Sequence, residues 1–234
     1  MICNTEEMWK TLSQYKIVKL SKIKYERGLL HYRIISKGNY TEQFETVIFG
    51  FYRVMILYEE MVKIYPLDEP KIELLGQSGF ILLITTLEAY LNRIFHGLCK
   101  LLKVRDVKEE AFRKYLNKFN LKFKYSYSEL EEISLSNFIP ERISFQDKRS
   151  CIKAFLLFDI NISEIDKQLW EKIYSKDQGY MNIRHGIIHR GPEYGLYKIN
   201  RIDINFFEET LVDIANLLSQ IDDEIMKLNK NLQI

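Results

Sequence analysis

The sequence predicts an all-α protein built as a helical bundle. Three long segments repeat apolar residues at alternating spacings of four and three, the pattern of helices packed nearly parallel or antiparallel to one another. Glycine and proline are scarce, with 10 and 4 among 234 residues, so helix breakers are rare. The composition, 47% hydrophobic and 28% charged, is that of an ordinary globular domain. A chain of this length can bury a sizeable core as one domain, with or without an extension.

The apolar stripes set the approximate bounds of the long helices. The first covers about 41–65 and stops at Pro66, the second runs from about 72 to 103, and the third spans 207–228. The stripe of the first helix consists of Phe44, Ile48, Phe51, Met55, Tyr58, Val62 and Tyr65. Weaker periodicity predicts shorter helices at 107–118, 147–158, 162–174 and 177–190.

Two segments fit the helical pattern less well. Residues 1–40 contain two short apolar runs around Gly28, which favour a small hairpin or an irregular extension. Residues 119–145 are rich in Lys, Ser, Tyr and Phe and are expected to form a long insertion loop. The predicted organisation is therefore an N-terminal extension over 1–40 followed by a helical bundle over 41–234.

Charge and cysteine content limit the possible partners and the cellular compartment of the chain. The formal net charge is only +2, so any preference for nucleic acid must arise from local patches. The three cysteines are widely spaced, without a Cys-x-x-Cys pair, which favours a reducing cytoplasm and no disulfide framework. No apolar run resembles a signal peptide, and no stretch of about 18 residues is free of charge, so no membrane span is expected.

The segment 100–127 mixes basic and aromatic side chains. Its basic residues are Lys100, Lys103, Arg105, Lys108, Arg113, Lys114, Lys118, Lys122 and Lys124, and its later aromatic residues are Tyr115, Phe119, Phe123, Tyr125 and Tyr127. Basic groups can contact phosphates while exposed aromatic rings stack on unpaired bases, as in single-stranded RNA binding. A solvated helix face whose aromatic rings pack inward explains the same pattern, and both interpretations stay open.

The stretch YMNIRHGIIHRGP, residues 180–192, is the most informative part of the chain. A helix is expected to begin near Asp177, whose side chain can cap its first turn, and to end at Gly191 and the following proline. The apolar side of this helix is predicted to consist of Tyr180, Met181, Ile183, Ile187 and Ile188. Arg184 falls inside that apolar arc and cannot shed its charge, so it requires an anionic partner or a ligand. Together with the titratable His189, it suggests a pair that handles phosphate.

Other kinds of chemistry receive less support. His185 and His189 lie four residues apart and could share a metal, but Gly186 stands where a zinc-protease helix carries Glu, and no third ligand is evident. Cys99 near His96 fits plain core packing. No glycine-rich loop precedes a helix in a nucleotide-binding pattern. We therefore predict neither a metal nor a cofactor.

The motif resembles that of the HEPN superfamily, the small all-helical domains of prokaryotic toxins, phage-defence proteins and some eukaryotic RNases. The mark of this family is an Arg, a polar residue, a few further residues and a His late in the bundle, and Arg184-His185-Gly-Ile-Ile-His189 matches it. Leu87-Glu88-Ala-Tyr-Leu91 is similar to the early helix of the RiboL-PSP-like subgroup, in which an acidic residue lies near the site. The resemblance covers about 72–228. Gly191 departs from the Tyr of toxins that are paired with a nucleotidyltransferase antidote.

The resemblance implies a metal-independent endoribonuclease that works as a homodimer and leaves a 2′,3′-cyclic phosphate and a 5′-OH. His189 would be the general acid or base, Arg184 would bind the scissile phosphate, His185 would assist, and Glu88 would hold the arginine in place. Arg184 and His189 lie about 140° apart on one helix, so a two-fold axis would be needed to combine them in one cleft. The expected RNA contacts are Lys100, Lys103, Arg105, Arg113, Lys114, Lys118 and Arg190.

Such an enzyme would act as a toxin or phage-defence effector, with an antitoxin or defence-system partner. Three alternatives stay open. In the first, Arg184 merely pairs with a core carboxylate and His189 caps the helix end. In the second, a HEPN-like module binds RNA or protein without cleaving it. In the third, the fold mainly supplies dimerisation to a defence system.

Overall fold

The computed structural model describes residues 4–26, 29–34, 40–121, 125–140, 143–190 and 202–231. Most of them are helical, which confirms the predicted all-α class. The helices are α1 (Thr5–Ser13), α2 (Glu45–Ile64), α3 (Glu69–Leu101), α4 (Glu109–Lys118), α5 (Tyr127–Leu130), α6 (Lys148–Phe155), α7 (Ile162–Ile165), α8 (Lys167–Tyr174), α9 (Tyr180–Arg190) and α10 (Ile204–Asn231). Two strands, β1 (Leu20–Glu26) and β2 (Leu29–Ile34), pair antiparallel as a hairpin, and short 3-10 turns join several helices.

Helices α2 and α3 form the centre of the bundle and pack along most of the length of α2. The turn between them contains Pro66, and α3 then begins with Asp68 accepting a hydrogen bond from the Lys71 amide at 3.1 Å. The two helices approach each other most closely at Gly50. A β-carbon at this position would lie 2.3 Å from Oγ1 of Thr86, so only glycine permits the observed spacing.

The C-terminal helix α10 completes the core, and its predicted apolar stripe is confirmed. Its fully buried members are Phe207, Leu211, Ile214, Leu218, Ile221 and Ile225. A charged residue on this helix, Asp222, is also fully buried. Its carboxylate accepts hydrogen bonds from Thr41 Oγ1 at 2.5 Å, Tyr90 Oη at 3.0 Å and Lys16 Nζ at 3.1 Å. These bonds satisfy the buried charge and join α10 to α3 and to the start of the bundle.

The N-terminal segment does not form a separate extension throughout its length. Helix α1 places Met8, Trp9 and Leu12 in the same core as α2, α3 and α10, and it contacts both α2 and α10. The expectation of an accessory segment over 1–40 is therefore wrong for α1, because its apolar face is buried against the bundle. The hairpin follows α1 along the chain.

The segment predicted as a long insertion loop, 119–145, contains ordered short elements. Helix α5 and a 3-10 turn at Leu135–Phe138 lie within it. Leu130, Phe138 and Phe145 are buried, so this segment contributes side chains to the core. Most of the described residues between 119 and 145 lie outside these two four-residue elements, as predicted for a loop. The elements themselves were missed because they are too short to display a helical repeat.

By length and composition alone, helix α3 could cross a membrane, with a mean hydropathy of 1.4 over its most apolar 18 residues. Half of these residues are buried inside the protein. The core position of α3 accounts for its hydropathy.

Candidate active site on α9

Helix α9 begins at Tyr180, three residues later than the sequence predicts. The carbonyl oxygen of Gly179 accepts the first hydrogen bond of the helix, from the Ile183 amide at 3.0 Å. The predicted cap by the Asp177 side chain is wrong, since this residue uses its carbonyl oxygen to accept a bond from the Asn182 side chain at 3.3 Å. The predicted helix end at 191–192 lies outside the described residues.

The first turn of α9 is fixed to the bundle by Tyr180. Its ring lies edge-on against Phe80 of α3, with 6.0 Å between the ring centroids. Its hydroxyl donates to Oδ2 of Asp213 on α10 at 2.6 Å, and the same oxygen is 2.5 Å from Lys172 Nζ on α8. Burial, reinforced by the Asp213 carboxylate, raises the pKa of Tyr180, so the hydroxyl keeps its proton and remains a donor. The helix that carries the motif is thus connected to three others.

One turn further along α9, Arg184 contacts a carboxylate on α3. Its Nη1 atom lies 3.2 Å from Oε1 of Glu88, and each side chain is only 15% exposed. The Arg184–Glu88 pairing predicted from the sequence is therefore present. A guanidinium on the inner side of α9 requires an anion, and the acidic residue in the middle of α3 supplies it.

The pair is incompletely hydrogen-bonded. Oε2 of Glu88 accepts a bond from the side-chain amide of Gln146 at 3.0 Å. Oε1 of Glu88 and Nε of Arg184 are buried and have no hydrogen-bond partner among the described residues. Burial raises the pKa of Glu88, although the Gln146 amide and the Arg184 guanidinium both pull it downward. The free-energy cost of removing the carboxylate from water therefore exceeds the stabilisation that Gln146 and Arg184 give to its charged form.

The two histidines of the motif lie on the solvent side of α9. His185 and His189 are both exposed, and their ring centroids are 4.3 Å apart with 40° between the ring planes. Ile188, predicted on the apolar side, is 45% exposed, so that assignment is wrong. Arg184 thus points towards α3 while the histidines face outward, as expected from the 140° separation along the helix.

The basic residues proposed to contact RNA are largely paired with carboxylates of the same region. Lys103 and Arg105 both contact Glu132, while Arg113 pairs with Glu109 and Lys114 with Glu110. Lys100 and Lys118 are exposed and have no ion pair among the described residues. Arg190 is the last residue of α9, and the structure describes its backbone but not its side chain. The positive charge of this segment is therefore largely balanced locally.

Most of the described aromatic rings in this segment point inward. Tyr115 is buried and donates to the Phe138 carbonyl at 3.2 Å, and Tyr127 donates to the Val104 carbonyl at 2.9 Å. Tyr125, in contrast, is 65% exposed. The interpretation of a solvated basic face over packed aromatic rings agrees better with these contacts than a row of stacking rings does.

The basic segment also lies at a distance from the motif. Lys100 follows Glu88 by twelve residues on α3, which corresponds to about 18 Å along the helix axis. Lys100 instead lines an open groove of about 980 Å³ between α2 and α3, together with Arg53, Asn92, Arg93 and His96. None of Glu88, Arg184, His185 and His189 lines this groove. The structure therefore separates Lys100 from Glu88, whereas Arg190 directly follows His189 on α9.

Gln146 is the residue of this site that sequence reasoning missed. It directly follows the segment predicted as a loop (119–145), at a position where no periodicity fixes which side chain faces which helix. Its contact with Glu88 depends on how the segment before α6 folds back onto α3. No signal in the local sequence identifies that contact.

Comparison of the chain with protein-family models, curated proteins and solved structures finds no match. Among the described residues, no group of three or more His, Cys, Asp or Glu side chains is placed to hold a metal ion. The chemical possibilities of the site therefore come from a guanidinium, a carboxylate, an amide and two imidazoles.

Proposed function

We propose that this protein is a metal-independent endoribonuclease of HEPN type that acts in the cytoplasm as a toxin or phage-defence effector. One observation carries the proposal: an arginine held by Glu88 at 3.2 Å lies on the same short helix as two solvent-exposed imidazoles. A cation for the phosphate and two groups that can accept and donate protons are the components that RNA cleavage by an internal nucleophile requires.

In this mechanism the 2′-hydroxyl of the RNA loses its proton to one imidazole and attacks the adjacent phosphorus. The bond from phosphorus to the 5′-oxygen breaks, and that oxygen takes a proton from a second imidazole. The products carry a 2′,3′-cyclic phosphate and a 5′-hydroxyl. Arg184 stabilises the negative charge that develops on the non-bridging oxygens, and His189 and His185 carry the protons.

Glu88 and Gln146 have a positioning role in this proposal. The carboxylate holds the Arg184 side chain before RNA arrives, and the amide holds the carboxylate at 3.0 Å. The buried Nε of Arg184 has no hydrogen-bond partner among the described residues, so the guanidinium retains donor capacity. Because Nε itself is buried, RNA can reach the guanidinium only through the part of the side chain that is exposed, 15% of it.

A homodimer completes the proposed site. Within one chain, Arg184 faces α3 and His189 faces solvent, so they do not converge on one phosphate. Two copies related by a two-fold axis would combine the arginine of one chain with the histidine of the other. The exposed apolar surface of Ile188, on the same helix, is available for such a contact.

The test is an RNA-cleavage assay with matched controls. Arg184→Ala and His189→Ala should each lower the cleavage rate by at least about 100-fold, since both groups act on the reacting atoms. Arg53→Ala and His96→Ala remove the same side-chain types elsewhere and should leave the rate unchanged. Cleavage should persist in EDTA and yield cyclic-phosphate ends. Activity that survives both motif substitutions would exclude this mechanism.

A second candidate is a HEPN-like module that binds RNA or protein without cleaving it. It is favoured by the contact that neutralises Arg184, because an arginine already paired with Glu88 is less available to a phosphate. Fluorescence anisotropy with labelled RNA separates the two candidates. RNA binding with no cleavage by the wild-type chain would support the module, and cyclic-phosphate products that disappear in His189→Ala would support the enzyme.

A further inference from the structure

The two motif histidines are placed like the two imidazole ligands of a helical metal site. His185 and His189 lie one turn apart on α9, both are exposed, and their ring centroids are 4.3 Å apart. Histidines at this spacing on one helix face supply two ligands to zinc in metalloproteases. Gly186 replaces the glutamate of those enzymes, and no third ligand is placed beside the pair among the described residues, so the geometry of the two rings decides whether they can bind an ion.

The distance between the two ring centroids is close to the distance that two imidazoles bound to one metal ion would have. With metal–nitrogen distances of 2.0–2.1 Å, two imidazoles bound at a right angle have ring centroids about 4.5 Å apart, and at a tetrahedral angle about 5.2 Å apart. The observed 4.3 Å differs from both values by less than about 1 Å. The separation of the rings therefore allows both to bind one ion once the exposed side chains rotate to direct a nitrogen of each ring at it.

We propose that His185 and His189 form a two-imidazole site for a divalent transition-metal ion of the copper, nickel and zinc class. The ion would exchange two of its bound waters for one nitrogen of each ring and keep water at its other positions. Imidazole nitrogen suits these three ions, whereas Mg²⁺ and Ca²⁺ prefer oxygen ligands. Cu²⁺ should bind most tightly, because it leads the affinity order and favours right-angled coordination.

The charge around the pair permits a second cation. Arg184, the residue next to His185, directs its guanidinium towards Glu88, whose carboxylate balances the charge. Both rings must be neutral to bind the ion, so protons on either imidazole are released to solvent when it binds. Two protein ligands hold an ion weakly and reversibly, which is suited to regulation rather than to permanent occupancy.

The consequence for activity rests on the proposed function. An imidazole whose lone pair binds a metal cannot accept the 2′-hydroxyl proton, and the matching imidazolium cannot form. The bound ion would therefore switch off an RNA cleavage that itself needs no metal. EDTA should restore the cleavage that these ions inhibit.

Binding is measured directly by isothermal titration calorimetry on the full chain without an affinity tag, so that no added histidines contribute. CuCl₂, NiCl₂ and ZnCl₂ should each give one ion per chain, with Cu²⁺ tightest, and MgCl₂ and CaCl₂ should give no heat of binding. His185→Gln and His189→Gln should each weaken Cu²⁺ binding by about tenfold or more, because each removes half of the protein ligands. His96→Gln is the matched control and should bind as the wild type does.

The outcomes separate the metal site from the nuclease. Absence of Cu²⁺ binding, or binding that survives either motif substitution, overturns the metal site even when RNA is cleaved. Ion binding by a chain that cleaves no RNA supports the metal site and defeats the proposed function. A chain that binds Cu²⁺ at the motif and cleaves RNA equally well with and without it overturns the regulatory consequence.

Discussion

Replacing Glu88 by glutamine should not destabilise the protein at neutral pH, although it removes the partner of Arg184. Glutamine keeps the size of the side chain and an oxygen that can accept a hydrogen bond from the guanidinium. It also removes a carboxylate that is only 15% exposed. The sign of the effect therefore depends on whether the attraction between the charges exceeds the cost of burying them.

The structure allows both quantities to be estimated. At 3.2 Å and an effective dielectric constant of about 20, the attraction between the two charges is about 5 kcal/mol. The effective desolvation penalty is several kcal/mol for each ion. Glu88→Gln loses the attraction but also removes the penalty of the carboxylate, while the penalty of Arg184 remains, so the two changes nearly cancel. Because Oε1 of Glu88 and Nε of Arg184 lack hydrogen bonds among the described residues, little further compensation is available. We expect Glu88→Gln to change the free energy of unfolding by between zero and about +1 kcal/mol at pH 7.

The pH dependence gives an independent check on the sign. Burial raises the pKa of Glu88 above its ordinary value of 4.5, so the folded protein holds this proton more tightly than the unfolded chain does. As the pH rises past that value, the unfolded chain loses the proton first, and the contribution of Glu88 to stability falls. The advantage of the glutamine variant should therefore be smallest at pH 4 and largest at pH 7.

Urea denaturation followed by circular dichroism at 222 nm, at pH 4, 5.5 and 7, measures this difference. Glu60→Gln is the matched control, because Glu60 is exposed and its bond with Lys63 lowers its pKa. Any pH trend of the control should have the opposite sign. A loss of more than about 1 kcal/mol in Glu88→Gln at pH 7 that shrinks at pH 4 would show that attraction outweighs desolvation and would refute the reasoning.

Two further substitutions test the packing that holds α9 and α3. Tyr180→Phe removes the 2.6 Å hydrogen bond to Asp213 and should lower the free energy of unfolding by about 2 kcal/mol, measured by urea denaturation. An unchanged value would show that this bond does not hold α9 in place. Gly50→Ala places a methyl group 2.3 Å from Oγ1 of Thr86 and should cost about 1–3 kcal/mol in the same assay. Thr86→Ala in the same chain should recover part of that loss, and failure to do so would place the strain elsewhere.

The long helices could be predicted because each buries one continuous face. Of the predicted stripe, Phe44 just before α2 and Ile48, Phe51, Met55 and Tyr58 within it are buried, whereas Tyr65, beyond the end of the helix, is 43% exposed, so its assignment was wrong. A repeat of this length leaves one orientation in which most of the stripe avoids water. Short elements carry too few residues to show such a repeat, so the order within 119–145 could not be recognised.

On α9, local periodicity predicts the direction of a side chain but not whether that side chain is buried. Ile188 and Met181 lie within about 20° of each other on a helical wheel. Met181 is 9% exposed whereas Ile188 is 45% exposed, so the two ends of one face differ. A wheel describes the direction of a side chain but not whether a neighbouring helix extends far enough to cover it. The start of the helix at Tyr180 rather than near Asp177 likewise depends on the turn that Gly179 makes against Ser175.

The ion pair could be predicted for a different reason. Arg184 lies on the inner side of α9, and buried charges in proteins are usually paired with an opposite charge, so a carboxylate on a facing helix was expected. Glu88 is an acidic residue in the middle of the long apolar helix that packs against α9. The need for a partner follows from charge and burial, whereas the bond from Gln146 depends on a fold that no local pattern specifies.

The Arg184–Glu88 pair contributes little to stability and is incompletely hydrogen-bonded. A role in binding a ligand explains it better than a role in folding does. An apolar pair of similar volume would fill the same space between α3 and α9 without a desolvation cost. Residues that fit their surroundings poorly while keeping a free donor are typical of sites adapted to a ligand. The two roles can be separated in one variant. Glu88→Gln should remain folded, because stability does not depend on the charge. It should cleave RNA more slowly, because a neutral amide holds the guanidinium of Arg184 less firmly than the carboxylate does. A variant as active as the wild type would reduce the pair to a structural contact.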